Sequence, residues 1–344
     1  MAKDRIAKLR ARRTDPYEVR KIMAFDEAIG RIKEDDPIRY VVETMTPIEK
    51  SYTDATFEEG ERVKNQLNKS LNAVGTKTEF RYQGSVTNDT HIKLYSDLDL
   101  LVIDTDFETI EPPGKPASPY SGDPLAELQQ LRTDCTKVLK REFPAAKVDT
   151  DGGKCIAISG GSLRRKIDVV IANWWNTVEY QRYASEVVRG VRVFDATLWE
   201  RRNNKPFFHN YRIAERDDTF NGNLRKVCRY LKSEKYDAGS NINISSYDIV
   251  SIAWNMPDSD LLAEDGKELA LAQNARAFLR RLLDNDSARN ALLVPNGTRK
   301  VFGDDGADKL GLVALYKEVN DTLSEVEASL TKTYRTIQEA RVKY

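Results

Sequence analysis

The chain has 344 residues in which 54 Lys plus Arg are balanced by 54 Asp plus Glu, so no global positive field draws it onto long duplex DNA or RNA. This length buries a substantial core, as one large or two modest domains. His91 and His209 are the only histidines, and Cys135, Cys155 and Cys228 lie far apart without a C-x-x-C pair. Histidine triads, zinc ribbons and a disulfide framework are thereby disfavoured, and carboxylates are left to carry any chemistry.

Residues 1–21 hold Lys3, Arg5, Lys8, Arg10, Arg12, Arg13, Arg20 and Lys21 against Asp4, Asp15 and Glu18, which reads as the solvated basic start of a helix. No apolar signal-peptide core opens the chain and no stretch approaches the length of a membrane span, so a cytoplasmic protein without membrane contact is expected. Residues 57–74 form a helical pattern, with Val63, Leu67, Leu71 and Val74 on one face, Thr56 and Glu59 spaced as a capping box and Gly75 at the end. A strand is expected at 77–83, a Gly84-Ser85 turn, and a neighbouring strand at 97–103, with Asp104 and Asp106 in the loop beyond it. The proline-rich stretch 107–122 suits an irregular surface insertion.

Asp123-Pro124 opens a helix whose apolar stripe is Leu125, Leu128, Leu131, Cys135, Val138 and Leu139. Strands at 155–159 and 166–172 follow, joined through Gly160-Gly161-Ser162. The order helix, strand, strand, helix, strand, strand predicts an α+β mixed sheet covered by helices. Beyond about residue 205 the character turns helical, with candidates at 222–235, 246–255, 259–284 and 307–342. The domain reading is a basic helical segment at 1–50, a catalytic core at 51–204 and a helical lobe at 205–344.

Ser96-Asp97-Leu98-Asp99-Leu100-Leu101 is the most informative run. Side chains alternate along a strand, so Asp97 and Asp99 share a side and Leu98 and Leu100 take the other. Like charges held so close call for a cation, and oxygen donors without His or Cys suit magnesium, with two ions and manganese as a substitute. Asp168, within the apolar run 166–171, is a third acid that needs a partner such as a shared metal. A D-x-D pair also occurs at solvated strand ends. What favours chemistry here is Gln83-Gly84-Ser85 just upstream, where a glycine turn lets backbone N–H groups and a hydroxyl approach a triphosphate. Two metals bridging nucleophile and leaving oxygen would drive in-line attack on an α-phosphate and release pyrophosphate.

Gly84-Ser85, Asp97-Leu98-Asp99 and the later Asp168 resemble the signature of the DNA-polymerase-β-like nucleotidyltransferases, and within them the animal and bacterial synthases of cyclic oligonucleotides. The resemblance continues through 225–232 (Arg-Lys-Val-Cys-Arg-Tyr-Leu-Lys) into Ser245-Ser246-Tyr247, and covers roughly residues 55–255. It implies a polymerase-β-like core with a C-terminal helical lobe, Lys232 and Ser246 on the triphosphate, and Tyr247 stacked on the base. It also implies nucleoside triphosphate substrates, ATP among them, and a cyclic di- or trinucleotide messenger read by a downstream effector, as in bacterial defence against phage. Arg225, Arg229 and Lys232 fall on one flank of their helix as a cationic ridge, which a solvated face also explains. Ser245-Ser246 also reads as a helix N-cap and Tyr247 as a core aromatic. Asp89-Thr90 departs from the Gly-Thr common in this family, and His209 is structural or on the acceptor side. Transfer of a nucleotide to an RNA, small-molecule or protein acceptor is the rival activity, and an inactive nucleotide or RNA binder the rival without one.

Overall fold

A computed structural model describes residues 5, 8, 9, 37–264 and 266–342, with side chains as far as residue 331. Of the basic N-terminal residues, Arg5 and Lys8 are among these; Lys3, Arg10, Arg12, Arg13, Arg20 and Lys21 lie outside them. The chain divides into two compact units, one of Ile48–Ala214 and one joining Met1–Pro47 to Glu215–Tyr344.

The first unit is built on a mixed sheet of seven strands among the described residues. Helix α2 (Lys50–Ala73) precedes β1 (Thr78–Gln83) and β2 (Leu98–Ile110), α1 (Pro37–Met45) belonging to the other unit; α3 (Pro124–Glu142) leads to β3 (Lys147–Asp149), β4 (Ile156–Gly160) and β5 (Leu163–Asn176). Helix α4 (Val178–Tyr183) and the hairpin β6 (Gly190–Asp195) and β7 (Glu200–Asn204) complete it. The order is β1-β2-β5-β4-β3, with β6 on the far half of β5 and β7 beside it. The central pair β2 and β5 runs parallel and the other pairings are antiparallel.

Alternation along the strands sorts the two faces. Leu98, Leu100 and Val102 with Ile167, Val169 and Ile171 pack against Val63 and Leu67 of α2 and Leu128, Leu131 and Cys135 of α3, forming the larger core. Leu101, Ile103, Val170 and Ala172 form a smaller cluster with Trp174 and Val191 on the opposite face. Asp97, Asp99, Lys166 and Asp168 belong by alternation to this second face, away from the helical layer.

Several expectations are corrected. Helix α2 begins earlier than 57, so Thr56 is interior to it and donates to the Tyr52 carbonyl, while the Glu59 carboxylate accepts from the Arg165 backbone N–H. No capping box forms, because neither residue stands at the helix start. Asp104 and Asp106 lie within β2, which continues through a bulge to Ile110 and absorbs the first residues of the supposed insertion. Asp104 is buried there, and burial pushes its carboxyl up to about 6. The N-cap Asp123 accepts from the Leu125 and Ala126 N–H groups as expected.

In the second unit, helix α6 (Asn223–Asp237) packs against α1, α7 (Ser246–Trp254), α9 (Glu268–Asp284) and α11 (Lys309–Val342). Helix α5 (Pro206–Thr219) runs from the first unit into the second, where α8 (Asp258–Leu261) and α10 (Asp286–Ala291) are shorter helices. The single helix expected at 259–284 is two: the chain leaves α8 after Leu261, and Gly266 takes a left-handed φ of 83° before α9 begins.

Candidate active site

The end of β1 and the start of β2 bring the Gly84-Ser85 turn to the acids. Gln83 pairs with Asp99 across the antiparallel ladder, so Gly84 follows beside that carboxylate. Gly84 has φ 84°, and a Cβ added there would fall 2.0 Å from Asp99 Oδ2. Glycine is therefore required twice, by the backbone and by the acid it leaves room for. Ser85 enters the turn that follows, where Thr90 N–H donates to the Ser85 carbonyl and Thr87 Oγ1 to the Gly84 carbonyl. Asn210 braces the same turn by donating to Thr87 Oγ1 at 2.9 Å.

Asp89 carries a left-handed φ of 54° in this turn. That explains the departure noted at Asp89-Thr90: the position needs a left-handed residue, and aspartate is among the few besides glycine that adopt that conformation readily. The Thr90 hydroxyl and N–H both bond Asn88 Oδ1, and His91 is buried with its Nε2 2.9 Å from Thr53 Oγ1. His209 is also buried, and burial lowers its imidazole to about 4, which keeps it neutral.

The parallel ladder places Asp99 opposite Asp168, one step beyond the Leu98–Ile167 pair. Asp97 and Lys166 flank that pair on its other side. The result is a square of three acids and one lysine on a single face of the sheet. Lys166 Nζ lies 2.6 Å from Asp97 Oδ2 and 3.0 Å from Asp168 Oδ2. Burial pulls its ammonium down, but the two acids together outweigh it and hold Lys166 well above the usual lysine range. Burial pushes the Asp168 carboxyl up, against the opposing pull of Lys166.

Asp168 Oδ1 is buried and has no hydrogen-bond partner. An orphaned carboxylate oxygen, the space that Gly84 leaves at Asp99 and an all-oxygen donor set fit a hard divalent cation. Among the described residues no three carboxylate, imidazole or thiolate groups already converge as a metal cluster. The cation that meets Asp97 and Asp168 here is the Lys166 ammonium.

Sequence reasoning gave Lys166 no role, although its spacing from Asp168 puts both on one strand face. Arg132 was missed as well, since its position in the buried stripe of α3 reads as a neutral one. It is buried, and its Nη2 donates to the carbonyls of Thr150, Gly152 and Cys155 at 3.1, 2.7 and 3.0 Å. This holds the loop between β3 and β4, whose last residue, Cys155, lies electrostatically close to Asp168.

In the helical unit the expected cationic ridge is not an exposed one. Arg225 pairs with Asp217 at 2.6 Å, Arg229 is buried and donates to the Met45 carbonyl at 3.0 Å, and Lys232 is 1 % exposed. The flank is interior because α6 is packed round most of its circumference. Ser245 is the N-cap of α7, accepting from the Asp248 N–H. Ser246 Oγ lies 3.1 Å from the Tyr236 hydroxyl. Tyr247 has the Arg299 guanidinium 5.2 Å from its ring centre, and burial pushes its phenol up to about 12.

The family model for the cGAS/DncV-like nucleotidyltransferase C-terminal helical domain matches residues 211–324. The cyclic dinucleotide synthase CdnE of Yersinia aleksiciae is 39% identical over 306 residues, which cover 88% of this chain and 80% of that protein. The chain belongs to the cGAS/DncV-like nucleotidyltransferases. A c-di-GMP synthase of Lachnospiraceae bacterium strain RUG226 is 30% identical over 68% of this chain and 73% of its own length. Among solved structures, the STING-associated CdnE c-di-GMP synthase of Capnocytophaga granulosa superposes with a TM-score of 0.77 at 27% identity, over 94% of this chain and 98% of its own. As a member of this family the protein is an enzyme, a nucleotidyltransferase that makes a cyclic oligonucleotide messenger, with the expected polymerase-β-like sheet and C-terminal helical domain. Among the described residues no helix is long and apolar enough to cross a membrane.

Proposed function

We propose that this cGAS/DncV-like nucleotidyltransferase joins two nucleoside triphosphates into a cyclic dinucleotide, with Asp97, Asp99 and Asp168 holding two magnesium ions. The observation that carries the reading is the ladder pair Asp99–Asp168 with Gly84 at its edge. When bound, the ions would neutralise the acids, activate the attacking hydroxyl and stabilise the leaving pyrophosphate. The Gly84-Ser85 turn offers its amides and the Ser85 hydroxyl to phosphate oxygens, and the Gln83 amide stands at the same ladder step as Asp99. In the helical domain Lys232 and Ser246 serve the triphosphate and Tyr247 the base; a desolvated lysine binds phosphate more strongly than a solvated one.

In each bond-forming step a ribose hydroxyl oxygen attacks an α-phosphorus, the bond to the β-phosphate oxygen breaks, and pyrophosphate leaves. Asp168 receives the hydroxyl proton. Its place opposite Asp99 on the ladder puts it among the acids that face the reacting groups. A second such step within the linear intermediate closes the ring and removes the last terminal phosphate.

A cyclic product is a signal only to a protein that binds it. The Capnocytophaga granulosa and Flavobacteriaceae relatives are described as STING-associated, which supports a downstream effector here and a part in bacterial antiviral defence. Cytoplasmic residence fits substrates supplied as free triphosphates. Several relatives are named as c-di-GMP synthases, so GTP stands beside ATP as first substrate to try. The test is mass spectrometry of products formed from all four ribonucleoside triphosphates with magnesium. A phosphatase-resistant dinucleotide is expected; linear products alone, or label transferred to added RNA, would favour the acceptor-transferase reading.

A further inference from the structure

The Lys166 ammonium meets Asp97 and Asp168 with hydrogen-bond geometry at both, in the square where two carboxylates would otherwise repel each other. A lysine carries this charge on a flexible four-carbon stem, and this side chain is 40% exposed, so Nζ is free to leave without disturbing the strand. An ammonium and a divalent cation cannot both take the same two Oδ2 atoms at bonding distance. A metal held by these acids would either compete for those oxygens or, on the orphaned Asp168 Oδ1, stand beside a like charge; either way its entry drives Lys166 elsewhere, and the strongest new partner for a displaced ammonium is the triphosphate that arrives with the metal.

We infer that Lys166 is the site's resident counter-ion: a positioning residue that holds Asp97 and Asp168 apart from one another's charge while no metal is bound, and that yields its place when metal and nucleotide enter together. This rests on the metal reading given above. Its consequence is a site that resists divalent cations on their own and accepts them with substrate, because the triphosphate offers the displaced ammonium a stronger partner than the neighbouring Asp149 carboxylate does. Binding of metal and nucleotide is then coupled through one side chain.

Manganese binding to the full chain, followed by electron paramagnetic resonance with and without a non-hydrolysable ATP analogue, tests this directly. Wild type should bind manganese weakly alone and about tenfold or more tightly with the analogue, within the usual range of coupling between sites. Lys166→Met should bind manganese more tightly alone, lose most of the nucleotide effect, and melt at a lower temperature in chelator but not in saturating manganese. Loss of a merely structural lysine would weaken metal binding. Lys166→Gln, which keeps polar donors without the charge, should shift in the same direction and serves if the Met variant does not fold. Unchanged or weaker manganese binding in the folded variants overturns the inference. If Asp97→Asn leaves wild-type manganese binding intact, the ion binds elsewhere, and the metal reading falls with the inference; if Asp97→Asn abolishes binding while the Lys166 variants bind as wild type does, only the role of Lys166 is lost.

Discussion

Gly84 and Asp99 occupy adjoining volume: the hydrogen of one stands where a Cβ would come within 2.0 Å of the carboxylate oxygen of the other. Gly84→Ala therefore moves an acid as well as straining a turn. The left-handed conformation costs a non-glycine residue about 1–2 kcal/mol, so the variant should fold and melt a few degrees lower. Displacing a reacting group by about 1 Å can cost on the order of 100-fold in rate. Pyrophosphate release should fall at least that far, and activity near wild type in a folded Gly84→Ala would mean that Asp99 is not where the chemistry happens.

Asp97→Asn and Asp99→Asn should each remove turnover while leaving the fold intact, since neither side chain contributes to the apolar clusters of the sheet. Circular dichroism and thermal melts establish folding, and pyrophosphate release measures the loss. Either variant retaining near-normal magnesium-dependent turnover would remove that residue from the proposed metal pair.

Lys232→Met should raise KM for triphosphate and lower kcat/KM without altering the product. A hydrogen bond to a charged group contributes about 1.5–3 kcal/mol, which corresponds to roughly 10- to 150-fold. Lys232 is nearly fully buried, so the neutral Met keeps the volume filled and separates charge from packing. A changed product in this variant would assign Lys232 to base choice instead.

In the helical unit, Glu234 is buried beside Arg5 Nη1 at 2.9 Å and accepts from Thr322 Oγ1 at 3.0 Å. Burial outweighs these partners and pushes its carboxyl from the usual 4.5 up to about 7. An acid with a raised folded pKa binds more protons folded than unfolded, so its contribution to stability falls as pH rises from about 4.5 to about 7 and is level above that. Melting temperatures of wild type and Glu234→Gln across this range should therefore diverge, wild type losing ground to the variant as pH increases. A constant difference between the two would show that Glu234 does not titrate in the fold.

Much of the catalytic sheet was legible because it follows from strand alternation. Asp97 and Asp99, with Leu98 and Leu100 turned to the core, are read correctly from spacing alone, as are the Asp123-Pro124 helix start and the Gly160-Gly161 turn. Lys166 stayed hidden because one of its two partners, Asp97, comes from the neighbouring segment of the sheet, and a pairing register is not written in either strand by itself. The boundary errors have the same source. Asp104 looks like a loop residue until the second strand beside it carries β2 onward past the bulge. The flank of α6 looked solvent-facing because a helix's surroundings depend on neighbours that its own periodicity does not name.

The parallel pairing of β2 with β5 has a further consequence for how errors in folding are felt. The two strands are far apart in the chain, and a slip of one residue in their register would send Asp168 to the helical side of the sheet, together with Lys166. The slipped molecule would keep Asp97, Asp99 and the glycine turn but have no third acid and no lysine beside them. With Asp168 as the third metal ligand proposed above, such misfolded copies would be silent and would not make a wrong product.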